Sequence, residues 1–245
     1  MASDTTPSPQ PRPLHYDQDP SRFPLEGGCS CGLIRYAILA APLMVHDCHC
    51  TVCAREGGGT QAINIIIEQA KFRRLPPAKH NTVPLSRADE EAGKAASRCL
   101  PELPKPASLG LYPDADGIFK PLVVETPSQS GLYQWIARCP RCFVAVYSEY
   151  ASGPFVKYVR GGTLDKAWLI GPDVHIFTRS RRDFQGPFQD GKPVFEEFYD
   201  RNEVWRADAL ERWNALLPEI REWQKPVIEK WKEYMASQES DNATS

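Results

Sequence analysis

Eight cysteines are the chemistry-bearing residues of this chain, and seven of them fall in close groups: Cys29-x-Cys31, Cys48-x-Cys50-x-x-Cys53 and Cys139-x-x-Cys142, with Cys99 standing alone. Thiols so close in sequence do not readily form a relaxed disulfide with each other, but they converge easily on one tetrahedral ion. If pairs stay together, Cys29, Cys31, Cys139 and Cys142 make a four-thiolate site, and Cys48, Cys50 and Cys53 make a three-thiolate site. Zinc with four protein ligands is closed and structural, whereas three ligands leave a position for water or substrate. The spacing therefore predicts two zinc ions per chain, one structural and one reactive. Two alternatives stand beside this division. Cys99 completes the second site and makes both structural, or His49 ligates, although it lies between two ligands and its ring would tend to point away.

A zinc held by three thiolates has a net charge of about -1. It is a modest Lewis acid and a good partner for a soft incoming thiol, whose pKa it lowers. Such a site suits addition of a thiol to an aldehyde, or the reverse, and so the making or breaking of a carbon–sulfur bond. The candidate catalytic residues are Cys48, Cys50 and Cys53 with their neighbours His49 and Arg55. His49 either shuttles a proton to a developing alkoxide or orients the ligand loop. Arg55 would offset the negative site, and Arg179, Arg181 and Arg182 would hold carboxylates of a peptide-like thiol. The plainer reading of each arginine is a solvated surface charge. His175, at the start of a strand, reads as structural.

The elements that must position these groups are mainly strands. Gly32–Leu39, Ala62–Ile67, Leu122–Glu125, Leu132–Ala137, Phe143–Ser148, Phe155–Arg160 and Val174–Thr178 have strand texture. Residues 1–24 are proline-rich and predict an extended or disordered tail, and residues 76–120 read as a proline-broken insertion in a domain spanning 25–200. A short helix falls within Asp89–Cys99. Beyond the domain, 201–237 predicts a helical extension of two helices, Asn202–Leu217 and Glu219–Ser237, separated by Pro218. Its tryptophans, Trp205, Trp213, Trp223 and Trp231, either cover the sheet or form a homodimer interface. Over 245 residues, 42% hydrophobic and 24% charged composition predicts a folded chain, and a net charge of -2 argues against a dedicated nucleic-acid binder. No apolar run approaches the ~18 residues of a membrane helix, and Met1–Pro13 lacks the apolar core of a secretory signal, so a cytoplasmic protein is expected.

Gly28-Cys29-Ser30-Cys31-Gly32, Cys48-His49-Cys50-Thr51-Val52-Cys53 and Cys139-Pro140-Arg141-Cys142 resemble the glutathione-dependent formaldehyde-activating enzyme family, whose domain centromere protein V shares. Gly162-Thr163-Leu164-Asp165 and His175-Ile176-Phe177, with Ser180 beyond, are similar to it as well. The resemblance implies a mainly β, Mss4-like folded sheet, the same division of zinc ligands, and a carbon–sulfur lyase that acts on a small-molecule thiol such as glutathione and an aldehyde. This chain departs from the family pattern at Phe143, where glycine is usual, at Ala54, where a basic pair begins, and at Asp183-Phe184, where Pro-Trp is usual. The rival readings are a zinc enzyme that activates water or a carbonyl on another small molecule, and a non-catalytic scaffold with two structural zincs.

Overall fold

The computed structural model describes residues 15–78, 82–84, 86–97, 104–128, 133–150 and 152–243. Strands β1 (Leu25–Gly28) and β2 (Arg35–Ile38) form a hairpin. Next come β3 (Met44–Cys48), helix α1 (Thr51–Gly57), β4 (Ala62–Glu68) and β5 (Phe72–Leu75). The proline-rich stretch that follows holds only short elements among the described residues: β6 (Thr82–Val83), α2 (Arg87–Glu91), β7 (Ala96–Ser97) and one 3-10 turn. Strands β8 (Leu122–Thr126), β9 (Gln134–Arg138), β10 (Ala145–Glu149), β11 (Val156–Arg160) and β12 (Val174–Ile176) complete the sheets. Helices α3 (Arg201–Val204) and α4 (Ala207–Ala243) end the chain.

The fold is mainly β with C-terminal helices, as the sequence predicts. A three-stranded sheet runs β1-β2-β5, and a seven-stranded sheet runs β12-β3-β4-β11-β10-β9-β8. Alternation along the central strands sends side chains to opposite faces of the larger sheet. Val45, Ile65, Ile67 and Val159 enter one core cluster together with Tyr36 and Phe72 of the smaller sheet. Met44, Ile66 and Val156 enter a second cluster, covered by Trp205, Ala209, Trp213 and Ile220 of the C-terminal segment. Both faces of the sheet are thus buried at its central strands, which is why β4 reads as a nearly unbroken apolar run, whereas β3 carries the buried polar His46 and Asp47.

Two expectations need correction. The C-terminal helix does not break at Pro218: α4 is continuous, with Pro218 and Pro226 inside it. Proline forfeits an N–H and crowds the preceding turn. The helix continues because Trp213 before Pro218 and Ile220 after it are buried against the same cluster. In addition, β1, β3, β5 and α1 form where no regular element is expected from sequence. Cys99 lies outside the described residues. Among the described residues no helix is long and apolar enough to cross a membrane.

Candidate metal centres

The first cysteine set is built by two tight turns from different sheets. In the β1–β2 hairpin, Cys29 N–H donates to the Ile34 carbonyl (3.0 Å), and Ile34 N–H donates back to Cys29 Sγ (3.3 Å). Glycine is required just before this turn, since a Cβ on Gly28 would sit 2.3 Å from the Ile34 carbonyl oxygen. Between β9 and β10, the N–H groups of Arg141 and Cys142 both donate to Cys139 Sγ at 3.4 Å. Phe143 closes that turn at φ +58°, the left-handed region that explains the glycine usual in the family at this place. The four sulfurs of Cys29, Cys31, Cys139 and Cys142 lie within 4.8 Å of one another, and none is in a disulfide.

The second set straddles a strand end and a helix start. Cys48 is the last residue of β3 and shares a face with His46. Cys50 caps α1, its sulfur accepting from Cys53 N–H at 3.3 Å. One helical turn then brings Cys53 back to Cys50. All three are buried, and their sulfurs converge within 4.8 Å. With no cation between them these thiols cannot all ionise. Hydrogen bonding with Cys50 pushes Cys48 well above the ordinary thiol range, while the bond from Cys48 holds Cys50 down at about 2. A buried soft donor set of this kind fits a soft or borderline divalent ion, which would let all three act as thiolates. Behind the set, Asn64 Nδ2 donates to Cys53 Sγ (3.7 Å), and the Asn64 carbonyl accepts from Arg160. Arg160 pairs with Glu56 (3.3 Å), which also pairs with Arg138 (3.0 Å).

Cys48, Cys50 and Cys53 all line a cavity of about 560 Å³ roofed by α4. The other candidates lie elsewhere. His49 is buried on the opposite face of the sheet, where its Nε2 donates to Asp47 Oδ2 (3.1 Å). The same carboxylate lies 2.8 Å from His175 Nδ1, and Asp190 lies 2.9 Å from His175 Nε2. His175 is therefore held between two carboxylates, and Asp47, His49 and His175 form a third buried group whose ligand atoms lie within 4.8 Å of one another. Arg55 is exposed on α1 and does not line the cavity. Arg179 pairs with Glu197, and Arg181 lies 4.2 Å over the Phe188 ring beside His49. The cavity-facing histidine is His46, whose Nε2 bonds the Tyr199 hydroxyl at 2.6 Å and whose pKa burial lowers to about 3. Asn64, Gln134, Arg201 and Trp213 also face the cavity. His46 was open to discovery by its two-residue spacing from Cys48. The others have no local signal.

Residues 24–99 match the model of the glutathione-dependent formaldehyde-activating enzyme family. The matched segment holds the first two cysteine groups, so the resemblance carried by those motifs stands, and the mainly β architecture agrees with the Mss4-like sheet it implies. The match ends before Cys139–Cys142 and before the C-terminal helix. No curated protein matches the chain. A crystal structure of a Rhodobacter sphaeroides protein is similar at 12% identity, covering 70% of this chain and 99% of that one, with a TM-score of 0.29, too low to carry an argument.

Proposed function

We propose that this chain is a zinc-dependent carbon–sulfur lyase that joins or separates a thiol and an aldehyde at Cys48, Cys50 and Cys53, with a second, structural zinc on Cys29, Cys31, Cys139 and Cys142. The observation that carries the reading is the pairing of a three-cysteine set with a cavity that all three cysteines line. A purely structural scaffold gives no reason for that cavity.

Zinc at the three-cysteine set would supply Lewis acidity and keep a thiol sulfur deprotonated near neutral pH. The chain's own residues supply the rest. Asn64, backed by Arg160 and Glu56, fixes Cys53 and with it the ligand loop. Trp213 and Leu217 of α4 line the cavity that the three cysteines open onto and give it an apolar wall beside the reacting atoms. The placement of His49 supports its orienting role over a proton shuttle, because its hydrogen bond to Asp47 anchors the turn between two ligands. The addition needs no oxidant or reductant. The thiol loses its proton, the S–C bond forms, the carbonyl π pair moves to oxygen, and a proton from solvent completes the hydroxyl. The reverse sequence is the lyase direction.

The test is metal content together with adduct exchange. Cys50→Ser should reduce two zincs per chain to one, leave the fold intact, and abolish acceleration of formaldehyde–thiol adduct exchange measured by NMR. Full acceleration in Cys50→Ser would overturn the reading.

A further inference from the structure

The cavity beside the three cysteines is chemically one-sided. Its volume of about 560 Å³ suits a small organic ligand. Ile176, Phe177, Trp213, Leu217 and Ile220 give it a broad apolar and aromatic wall. Its charged lining among the described residues consists of Arg201 and Arg221, with no carboxylate. Away from the three cysteines, a ligand ammonium would find no carboxylate to pair with, whereas a ligand carboxylate would find Arg201.

Arg201 is the better placed of the two arginines. Its guanidinium carbon lies 4.6 Å from the Trp213 ring centre and 5.4 Å from that of Phe198, so aromatic faces hold its plane. Among the described residues it makes no ion pair, and its Nε is buried with no hydrogen-bond partner. A planar cation already ordered by stacking and left without an anion is prepared for a carboxylate fork. Gln134 also lines the cavity, 1% exposed, and its Oε1 is buried without a partner. It offers an acceptor to a hydroxyl, the group that thiol addition to an aldehyde creates.

We propose that this cavity binds an aryl or branched-alkyl molecule carrying a single carboxylate, with the carboxylate on Arg201, the apolar body against Trp213, Leu217 and Ile220, and a thiol or its aldehyde adduct toward Cys48, Cys50 and Cys53. The thiol end rests on the function proposed above; the carboxylate and apolar assignments do not. Glutathione is a poorer match, because its α-ammonium finds no carboxylate among the lining residues and its two carboxylates exceed the one that Arg201 would take.

The test uses the full zinc-loaded chain and its cobalt-substituted form, with 4-mercaptobenzoate, benzenethiol, benzoate and glutathione as probes. Tryptophan fluorescence reports entry beside Trp213, and the cobalt absorption bands report a thiol at the metal. 4-Mercaptobenzoate should bind about tenfold tighter than benzenethiol, as a charged hydrogen bond allows, and tighter than glutathione. Arg201→Gln should erase the preference for 4-mercaptobenzoate over benzenethiol, and Arg201→Lys should keep part of it. The wild-type preference needs no variant, so the test survives if Arg201→Gln fails to fold. Equal binding of 4-mercaptobenzoate and benzenethiol, or tightest binding of glutathione, would overturn the assignment. Fluorescence quenching by benzoate together with cobalt bands unmoved by either aryl thiol would support the cavity assignment and overturn the open-metal reading instead.

Discussion

At the scale of single residues, the three-cysteine set depends on what lies behind it. Asn64 reaches Cys53 with its amide N–H and is itself gripped by Arg160, so the sulfur is oriented from the neighbouring strand rather than from its own loop. Groups behind metal ligands commonly matter about 10–100-fold in affinity. Asn64→Leu should accordingly release one of two zincs about 10–100-fold more readily to a competing chelator, with the other ion retained. Unchanged release would show that the contact has no part in holding the ion. Arg160, buried and paired with Glu56, brings positive charge to this cluster from the adjacent strand, which exposed Arg55 does not. Sequence proximity to the ligands points to Arg55, but α1 turns that residue outward, while β4–β11 pairing brings Arg160 opposite Asn64.

At the scale of elements, α4 is held by a close fit of ring against backbone. Gly153 adopts φ +65°, and a Cβ there would lie 2.7 Å from Trp223 Cδ2. Trp223 in turn meets Trp135 of β9 edge to face at 6.0 Å. Gly153→Ala should therefore lift this part of α4 from the sheet and destabilise the protein by about 1–3 kcal/mol from overpacking alone, read as a lower melting temperature with altered tryptophan emission. A neutral outcome would mean that α4 sits without this contact. The buried face of α4 is legible in its sequence, since Ala209 and Trp213 recur at four-residue spacing and both are buried. Trp205, four residues before, is buried as well but lies at the extended break between α3 and α4, where the sequence predicts one helix over Asn202–Leu217. The continuity through Pro218 is not legible, because a proline's local cost is set against burial supplied by strands far away in sequence. The side chain of Trp231 lies outside the described residues.

At the scale of the whole molecule, the two cysteine sets occupy different mechanical positions. The four-cysteine set joins the turn of the smaller sheet to a turn of the larger one, across 108 residues between Cys31 and Cys139. The three-cysteine set is local to residues 48–53 and opens onto the cavity between the sheet and α4. Loss of a ligand should have different consequences in each. Cys139→Ser should give insoluble or unfolded protein, because a metal that bridges distant segments is coupled to folding, whereas Cys50→Ser should remain folded. A soluble Cys139→Ser protein that keeps both zincs would refute a bridging role for that set.

Sequence alone determined what is local: the grouping of seven cysteines into four and three, the β-branched strands such as Ala62–Glu68, and the resemblance carried by short motifs. Ligand spacing, strand alternation and turn chemistry act within a few residues and leave their mark in the order of side chains. Tertiary structure alone decided which groups meet at the site. Strand alternation sends His46 toward the cavity and His49 away from it, but only the burial of both sheet faces gives those directions meaning. Arg201, Trp213 and Gln134 come to the three cysteines through packing of α3, α4 and β9. Contacts of that range arise from the burial of whole faces, and no short stretch of sequence records them.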